Sequence, residues 1–225
     1  MAKKSDGPKL YWFIFIPIGS ILVWLASLAP GQTSVAPLPI GSPAVVSASS
    51  SIDPCSAQGE FLNLMNCPLN LYDLAGADFT LCLCSGVDLS GADLTQTILK
   101  TAFLDGANIR DAILDNVDLS GSSGSPLFDR SSLVGADFSS TQFFKASFKK
   151  VNGNEANFTA ATLSFTNWSG ASLHNAIFFR ADLSYAEFTD ADLSGANLQY
   201  ANITGASFKG AVLTGATMPD GSIHK

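Results

Sequence analysis

From residue 64 to residue 218 an apolar side chain returns at every fifth position, and a small residue, most often alanine, stands two places before it. The stretch Ala181-Asp182-Leu183, Ala186-Glu187-Phe188, Ala191-Asp192-Leu193, Ala196-Asn197-Leu198 shows the pattern without interruption. Steps of five turn an α-helix by about 140°, so the apolar residues would spiral around it instead of forming a face. Along one extended strand an odd step throws successive centres onto opposite sides. What fits is a triplet, small residue inward, polar residue outward, Leu or Phe inward, followed by two residues that turn a corner. The second residue after the centre is glycine at Gly76, Gly86, Gly91, Gly106, Gly121, Gly135, Gly170, Gly195, Gly205, Gly210 and Gly215, which is 11 of the 19 glycines gathered where a corner needs backbone freedom. A chain that turns the same way every five residues winds into a solenoid.

The centres divide the solenoid. They run in step from Leu64 to Leu119, and the spacing from Leu119 to the next clear centre, Phe128, is nine instead of ten. The pattern therefore predicts a first block over 64–119, an inserted corner loop at 120–126 in Ser120-Gly121-Ser122-Ser123-Gly124-Ser125-Pro126, and a second block over 127–220, with 221–225 as a tail. Gly153 is a centre without a side chain and reads as a local bulge or thin spot.

Ahead of the repeat, residues 1–9 form a basic segment with Lys3, Lys4 and Lys9, and residues 10–29 carry no charge. Twenty such residues match the hydrocarbon thickness of a bilayer, and Trp12 and Trp24 stand near the two ends, so 10–29 is predicted to be an uncleaved transmembrane helix, a signal anchor. A cleaved signal peptide is the rival, with Pro30 hindering cleavage after Ser27-Leu28-Ala29. The lysines keep the N-terminus cytoplasmic or stromal and send the rest across. Residues 30–53, rich in Pro, Ser and Ala, read as a linker, and 54–63 as an N-terminal cap that shields the first coil. The chain carries a net charge of −7; from Pro54 onward 17 acidic residues oppose 9 basic ones, a net of −8, so no nucleic-acid partner is expected.

Blocks of the form Ala-(Asp/Asn)-Leu-x-x resemble the pentapeptide-repeat family, and the match runs from Leu62 to about Asp220 in 31 near-continuous repeats. The resemblance implies an all-β fold, a right-handed quadrilateral β-helix with four pentads to a coil, here following an N-terminal transmembrane helix. It also implies that the centre and small positions fill the tube. Cyanobacteria hold many proteins similar to this one, some in the thylakoid lumen. The expected function is a non-catalytic, membrane-anchored scaffold or accessory subunit that docks on a membrane protein complex, with its β-helix in the periplasm or thylakoid lumen. Two alternatives stay open: a DNA-mimicking topoisomerase-protection protein, as some members of the family are, and a secreted or periplasmic binding protein with a cleaved signal.

No catalytic, cofactor or metal site is predicted. His174 and His224 have no partner fixed by spacing, and Asp73, Asp78, Asp88, Asp93, Asp118, Asp137, Asp182 and Asp192 occupy the outward slot that is polar in any such array. The sequons at Asn157, Asn167 and Asn202 are products of the repeat. Cys67, Cys82 and Cys84 fall in inward slots; a Cys55–Cys67 disulfide and free thiols are equal alternatives, whereas Cys82 and Cys84 are expected to stay unbridged because a bridge would draw both from the interior. Apolar residues in outward places carry the functional reading. Phe144, Phe165 and Tyr185 with Phe179, Arg180 and Tyr200 form an aromatic corner with basic flanks, and Leu81, Leu83, Ile98 and Phe103 cluster across two adjacent walls; both groups are candidate partner contacts.

Overall fold

Five-residue phrasing folds into a four-sided β-helix in a computed structural model that describes residues 62–70, 72 and 74–225. Outside one slipped coil, outward residues make parallel bridges to those twenty positions later, as in Asn63 to Leu83 and Leu83 to Phe103. We number the walls in chain order. Wall 1 presents Asn63, Leu83, Phe103, Ser123, Gln142, Thr162, Asp182 and Asn202 in eight successive rows. Wall 2 runs from Pro68 to Ser207, wall 3 ends at Val212, and wall 4 runs from Asp78 to Thr217, where Ile223 folds back antiparallel. Among the described residues no helix is long and apolar enough to cross a membrane; the expected span at 10–29, the linker and the cap residues 54–61 lie outside them.

One pentad shows how the backbone is satisfied. Ala92 N–H closes the corner on Leu89 O (3.1 Å), Asp88 N–H reaches down to Cys67 O (2.8 Å), and Leu89 and Gly91 N–H reach up to Asn108 O and Arg110 O (2.8 Å each). The fifth N–H, on Ser90, is taken by the Asp88 carboxylate (3.1 Å). The same bond joins Asp78 to Thr80, Asp93 to Thr95, Asp118 to Ser120, Asp137 to Ser139, Asp182 to Ser184 and Asp192 to Ser194. The outward aspartates are thus turn caps as well as a solvated surface; Asp73 lies outside the described residues. At several corners the acceptor comes from the coil below: Asp115 serves Val134 N–H, Asp129 serves Lys149 N–H and Asn154 serves His174 N–H.

Glycine corners have positive φ, as the spacing predicts, with Gly76 at 73° and Gly91 at 68°. Non-glycine residues fill the same place elsewhere, including Phe165, Tyr185 and Tyr200 at 57–61°.

The register slip is a deletion, which corrects the loop expected at 120–126. Ser123 bridges Phe103 below and Gln142 above, so this segment is wall, and Gly124 occupies a centre position. The next corner has one residue, Ser125, in place of two, and Pro126 takes the buried inward slot; the bridge spacing is accordingly nineteen for one coil. A Cβ on Gly124 would lie 2.5 Å from Asp105 N, so only glycine lets the backbone cut this corner. Phe143, one coil above on the same wall, reaches back to within 5.9 Å of Phe128. At Gly153 there is no bulge: Asn152 bridges regularly to Ser132 and Ser172, and Leu173 Cδ2 comes to 2.9 Å of where a Cβ would be, closing the expected thin spot.

Inside the second block, wall 2 stacks Phe128, Phe148, Trp168, Phe188 and Phe208, with ring centroids 4.0–5.9 Å apart. Wall 4 answers with Phe138, Phe158 and Phe178 at 4.8 Å. The two ladders meet across the tube edge to face, as between Phe148 and Phe158 (85°). Trp168 buries its indole N–H without loss by donating to Thr166 Oγ1 (2.8 Å).

The cysteines also correct the expectation. Cys82 and Cys84 form a disulfide while both remain buried. Alternate residues of the triplet point to the same interior face with Cα atoms 5.4 Å apart, within disulfide reach, so neither has to leave the core. Cys67 is buried and is not a free thiol; Cys55, the other half of the expected pair, lies outside the described residues.

Candidate docking wall

Each wall row is edged by two corners, and the corner residues belong to the surface that the row presents. On wall 1 the row centred on Asp182 runs Phe179-Arg180, Asp182, Ser184-Tyr185, and the row above runs Gln199-Tyr200, Asn202, Thr204-Gly205. Phe144, Phe165 and Tyr185 climb one edge: Phe144 meets Phe165 edge on (5.4 Å), and Phe165 stacks on Tyr185 (4.9 Å, 16°). Gly205 continues that column because a Cβ there would strike the Tyr185 ring at 2.7 Å. Phe179 and Tyr200 meet on the other edge (5.5 Å, 75°). Lys145 lies over Phe144 at 4.9 Å and Arg180 over Phe179 at 5.2 Å.

The sequence-derived groups prove to be neighbours on one surface. Leu83 and Phe103 are outward residues of wall 1, Leu81 is at its edge, and Ile98 is on adjoining wall 4. All the exposed aromatics among the described residues, Phe103, Phe144, Phe165, Tyr185 and Tyr200, belong to wall 1 or its edges. The sequence reading missed Met65 (41% exposed), Lys100 and Asp105 there. The available signal was column recurrence, twenty residues in most coils and nineteen across the slip.

The other walls expose aliphatic residues, Ile113 and Val212 on wall 3 and Ile98 and Ile177 on wall 4, but no exposed Phe, Trp or Tyr among the described residues, and they carry the ion pairs. At the corner between walls 2 and 3, Arg110 pairs with Asp129 (3.2 Å) and Arg130 with Asp111 (2.6 Å). Burial pushes the Asp129 carboxyl up, but hydrogen bonds from Ser147, Arg110 and the Lys149 N–H outweigh it and hold the group below the ordinary carboxylate range. The Thr95 hydroxyl and N–H lower Asp93 in the same way. His174 lies 3.3 Å from Asp192 on the surface. Among the described residues no three His, Cys, Asp or Glu side chains group to hold a metal ion. What the arrangement offers is a rigid, amphipathic contact wall.

The pentapeptide-repeat model matches in 8 copies, over residues 88–123, 156–195 and 191–220. Among solved structures, HetL, a pentapeptide-repeat protein involved in heterocyst differentiation regulation from the cyanobacterium Nostoc sp. strain PCC 7120, is 36% identical, with 67% of this chain and 76% of HetL covered and a TM-score of 0.42. AT2G44920, a pentapeptide-repeat protein of the Arabidopsis thaliana thylakoid lumen, is 31% identical, with 54% of this chain and 68% of that protein covered and a TM-score of 0.26. QnrB1, a plasmid-mediated fluoroquinolone resistance protein, is 21% identical over 60% of this chain and 76% of its own, with a TM-score of 0.44. No curated protein matches the chain.

Proposed function

The chain belongs to the pentapeptide-repeat family, whose solenoid is a right-handed four-sided β-helix, and on that premise we propose that it is a non-catalytic, membrane-anchored scaffold docking on a membrane protein complex. The observation that carries this reading is the one-sided gathering of exposed aromatics on wall 1, since interface cores favour aromatic residues and Arg over other charges. A preformed tube loses little conformational freedom on binding and holds its contacts in fixed register. The uncharged run at 10–29 supplies the anchor, and Lys3, Lys4 and Lys9 direct the tube into the periplasm or thylakoid lumen. The Cys82–Cys84 disulfide fits such an oxidising compartment, and the lumenal location of the Arabidopsis relative gives it a parallel.

The test uses the full chain in its own membrane. It should resist alkaline extraction, place a tag at Lys225 on the translocated side, and co-migrate with complex subunits after gentle detergent release and cross-linking. Replacing Phe165 and Tyr185 by Asp should abolish that co-migration while the fold persists. Release by alkali defeats the anchor; unchanged co-migration of the double variant defeats any dependence of docking on wall 1. Topoisomerase protection by DNA mimicry is the second reading, favoured by the net charge of −8 from Pro54 onward and opposed by the basic residues Arg110, Arg130, Lys149 and Lys150 along one corner. A cytoplasmic Lys225 would favour it.

A further inference from the structure

Five of the eight rows of wall 1 are lopsided in a way that a half-turn would complement, whereas the row of Ser123 is small on both edges and the row of Asp182 sets Phe179-Arg180 against Ser184-Tyr185. In the row of Phe103, one edge bears Lys100 and the other Asp105. In the row of Asn202, Tyr200 on one edge stands across from Gly205 on the other. The row of Gln142 has Ser139-Ser140 against Phe144-Lys145, and the row of Thr162 has Thr159-Ala160 against Ser164-Phe165. The row of Leu83 has Thr80-Leu81 against Ser85-Gly86. In four of these five rows bulk faces smallness across the wall, and the fifth, with full charges on both edges, has opposite signs.

We propose that wall 1 is the interface of a parallel homodimer, two tubes side by side and related by a two-fold axis that runs along the tube direction in the plane between the walls. This rests on wall 1 being the protein-contact wall and names its occupant as a second copy of the chain. The operation lays each edge on the opposite edge of the same row. Lys100 then meets the partner's Asp105, the ring of Tyr200 fills the space beside the partner's Gly205, and Arg180 meets the partner's Tyr185. The midline residues meet themselves, so Leu83 and Phe103 form a dry centre in the first block. Gln142, Thr162 and Asn202 can pair as polar counterparts. Asp182 meets its own copy, which is the one unfavourable contact; it already accepts a hydrogen bond from Asn202 Nδ2 (3.0 Å), and Arg180 of each copy flanks it. An antiparallel pairing would place Asp182 on Leu83 and lose the Lys100–Asp105 match.

Size and direction agree with the proposal. Eight rows about 4.8 Å apart and roughly 20 Å across, edges included, offer on the order of 700 Å² per copy, close to the ~800 Å² of a standard interface. Parallel tubes also set Leu62 and Asn63 of both copies at the same end of the pair, as anchoring of both in one membrane requires. With wall 1 taken up by the second copy, the unit that meets the complex is the pair, through walls 2, 3 and 4, and Phe165 and Tyr185 support co-migration by holding the two copies together.

The test is made on the purified full chain in detergent, by molar mass after correction for the micelle and by chemical cross-linking. A dimer is expected at micromolar concentration. Lys100→Glu alone or Asp105→Lys alone should weaken it about a hundredfold, because the two-fold axis makes each change break two charge pairs at about tenfold apiece, and the double charge swap should restore it. Restoration excludes misfolding and dimerisation through residues 10–29, which the swap leaves untouched. Asn202→Cys should join to its own copy through a bismaleimide of about 10 Å reach, whereas antiparallel tubes would separate the two sites by roughly 34 Å. Ser172→Cys on wall 3 should not cross-link. A monomer at all concentrations, single swaps without effect, or a swap that fails to restore would overturn the homodimer. Docking on a membrane complex is read separately, by co-migration from native membranes, so either result can fail without the other.

Discussion

A carboxylate on this tube has a job that no repeat consensus states: it accepts the one N–H per pentad that no backbone carbonyl of the corner or of the neighbouring coils takes. Asp129 shows the strongest case, with a side chain only 14% exposed, bonds from Ser147 and the Lys149 N–H, and the Arg110 guanidinium beside it. Asp129→Ala should destabilise the fold by about 1–3 kcal/mol in denaturant unfolding, the cost of partly buried donors left without a partner, and Asp129→Asn by less, since the amide oxygen still accepts. Acid should act on the same groups. Asp93, Asp129 and Asp192 titrate below the ordinary value of 3.8, so their contribution is whole above 3.8 and is lost as pH falls through their lower native values. Melting temperature should therefore stay level from about pH 7 to 5 and drop below about pH 4, with a shallower drop in Asp129→Asn.

At the scale of the pentad, the two kinds of glycine separate sharply. Gly91 has positive φ but open space where a Cβ would go, and Ala160 occupies the same corner position at 56°. Gly91→Ala should cost about 1 kcal/mol, the left-handed penalty alone. Gly124, with φ at 129° and backbone atoms of Leu104 and Asp105 within 2.5–2.8 Å of a Cβ, should cost about 3 kcal/mol or more on the same substitution and lower the melting temperature accordingly. This contrast also marks where reading the sequence succeeds and fails. The corners and inward centres were legible because the small, polar, large triplet repeats. The spacing of nine showed that the register slips but not that the slip is a deletion, because a glycine in a centre position removes the very signal that marks a centre, and Ser120–Pro126 has the composition of a loop. Cys82 and Cys84 misled for a related reason: their inward positions were legible, but not that residues two apart on one inner face lie close enough to bond.

For the whole molecule, register decides what a sequence pattern can reveal. The aromatic corner and the Leu83–Phe103 group looked like separate patches because the deletion at Ser125 breaks the column count between them; the bridges from Phe103 through Ser123 to Gln142 restore it and put both on wall 1. The same stacking governs stability. Each coil rests on its two neighbours, so damage should propagate from the middle and stay local where packing is already incomplete. Phe158 is fully buried and stacks at 4.8 Å on Phe138 below and on Phe178 above, while Phe208 is only partly buried at the top of its ladder. Phe158→Ala should cost about 3–5 kcal/mol and open amides in the coils on both sides to hydrogen exchange. Phe208→Ala should cost clearly less and raise exchange only from about residue 188 onward. If the two substitutions raised exchange uniformly along the tube, the solenoid would be unfolding as a single cooperative unit, and the row-by-row energetics would have to be replaced by a global one.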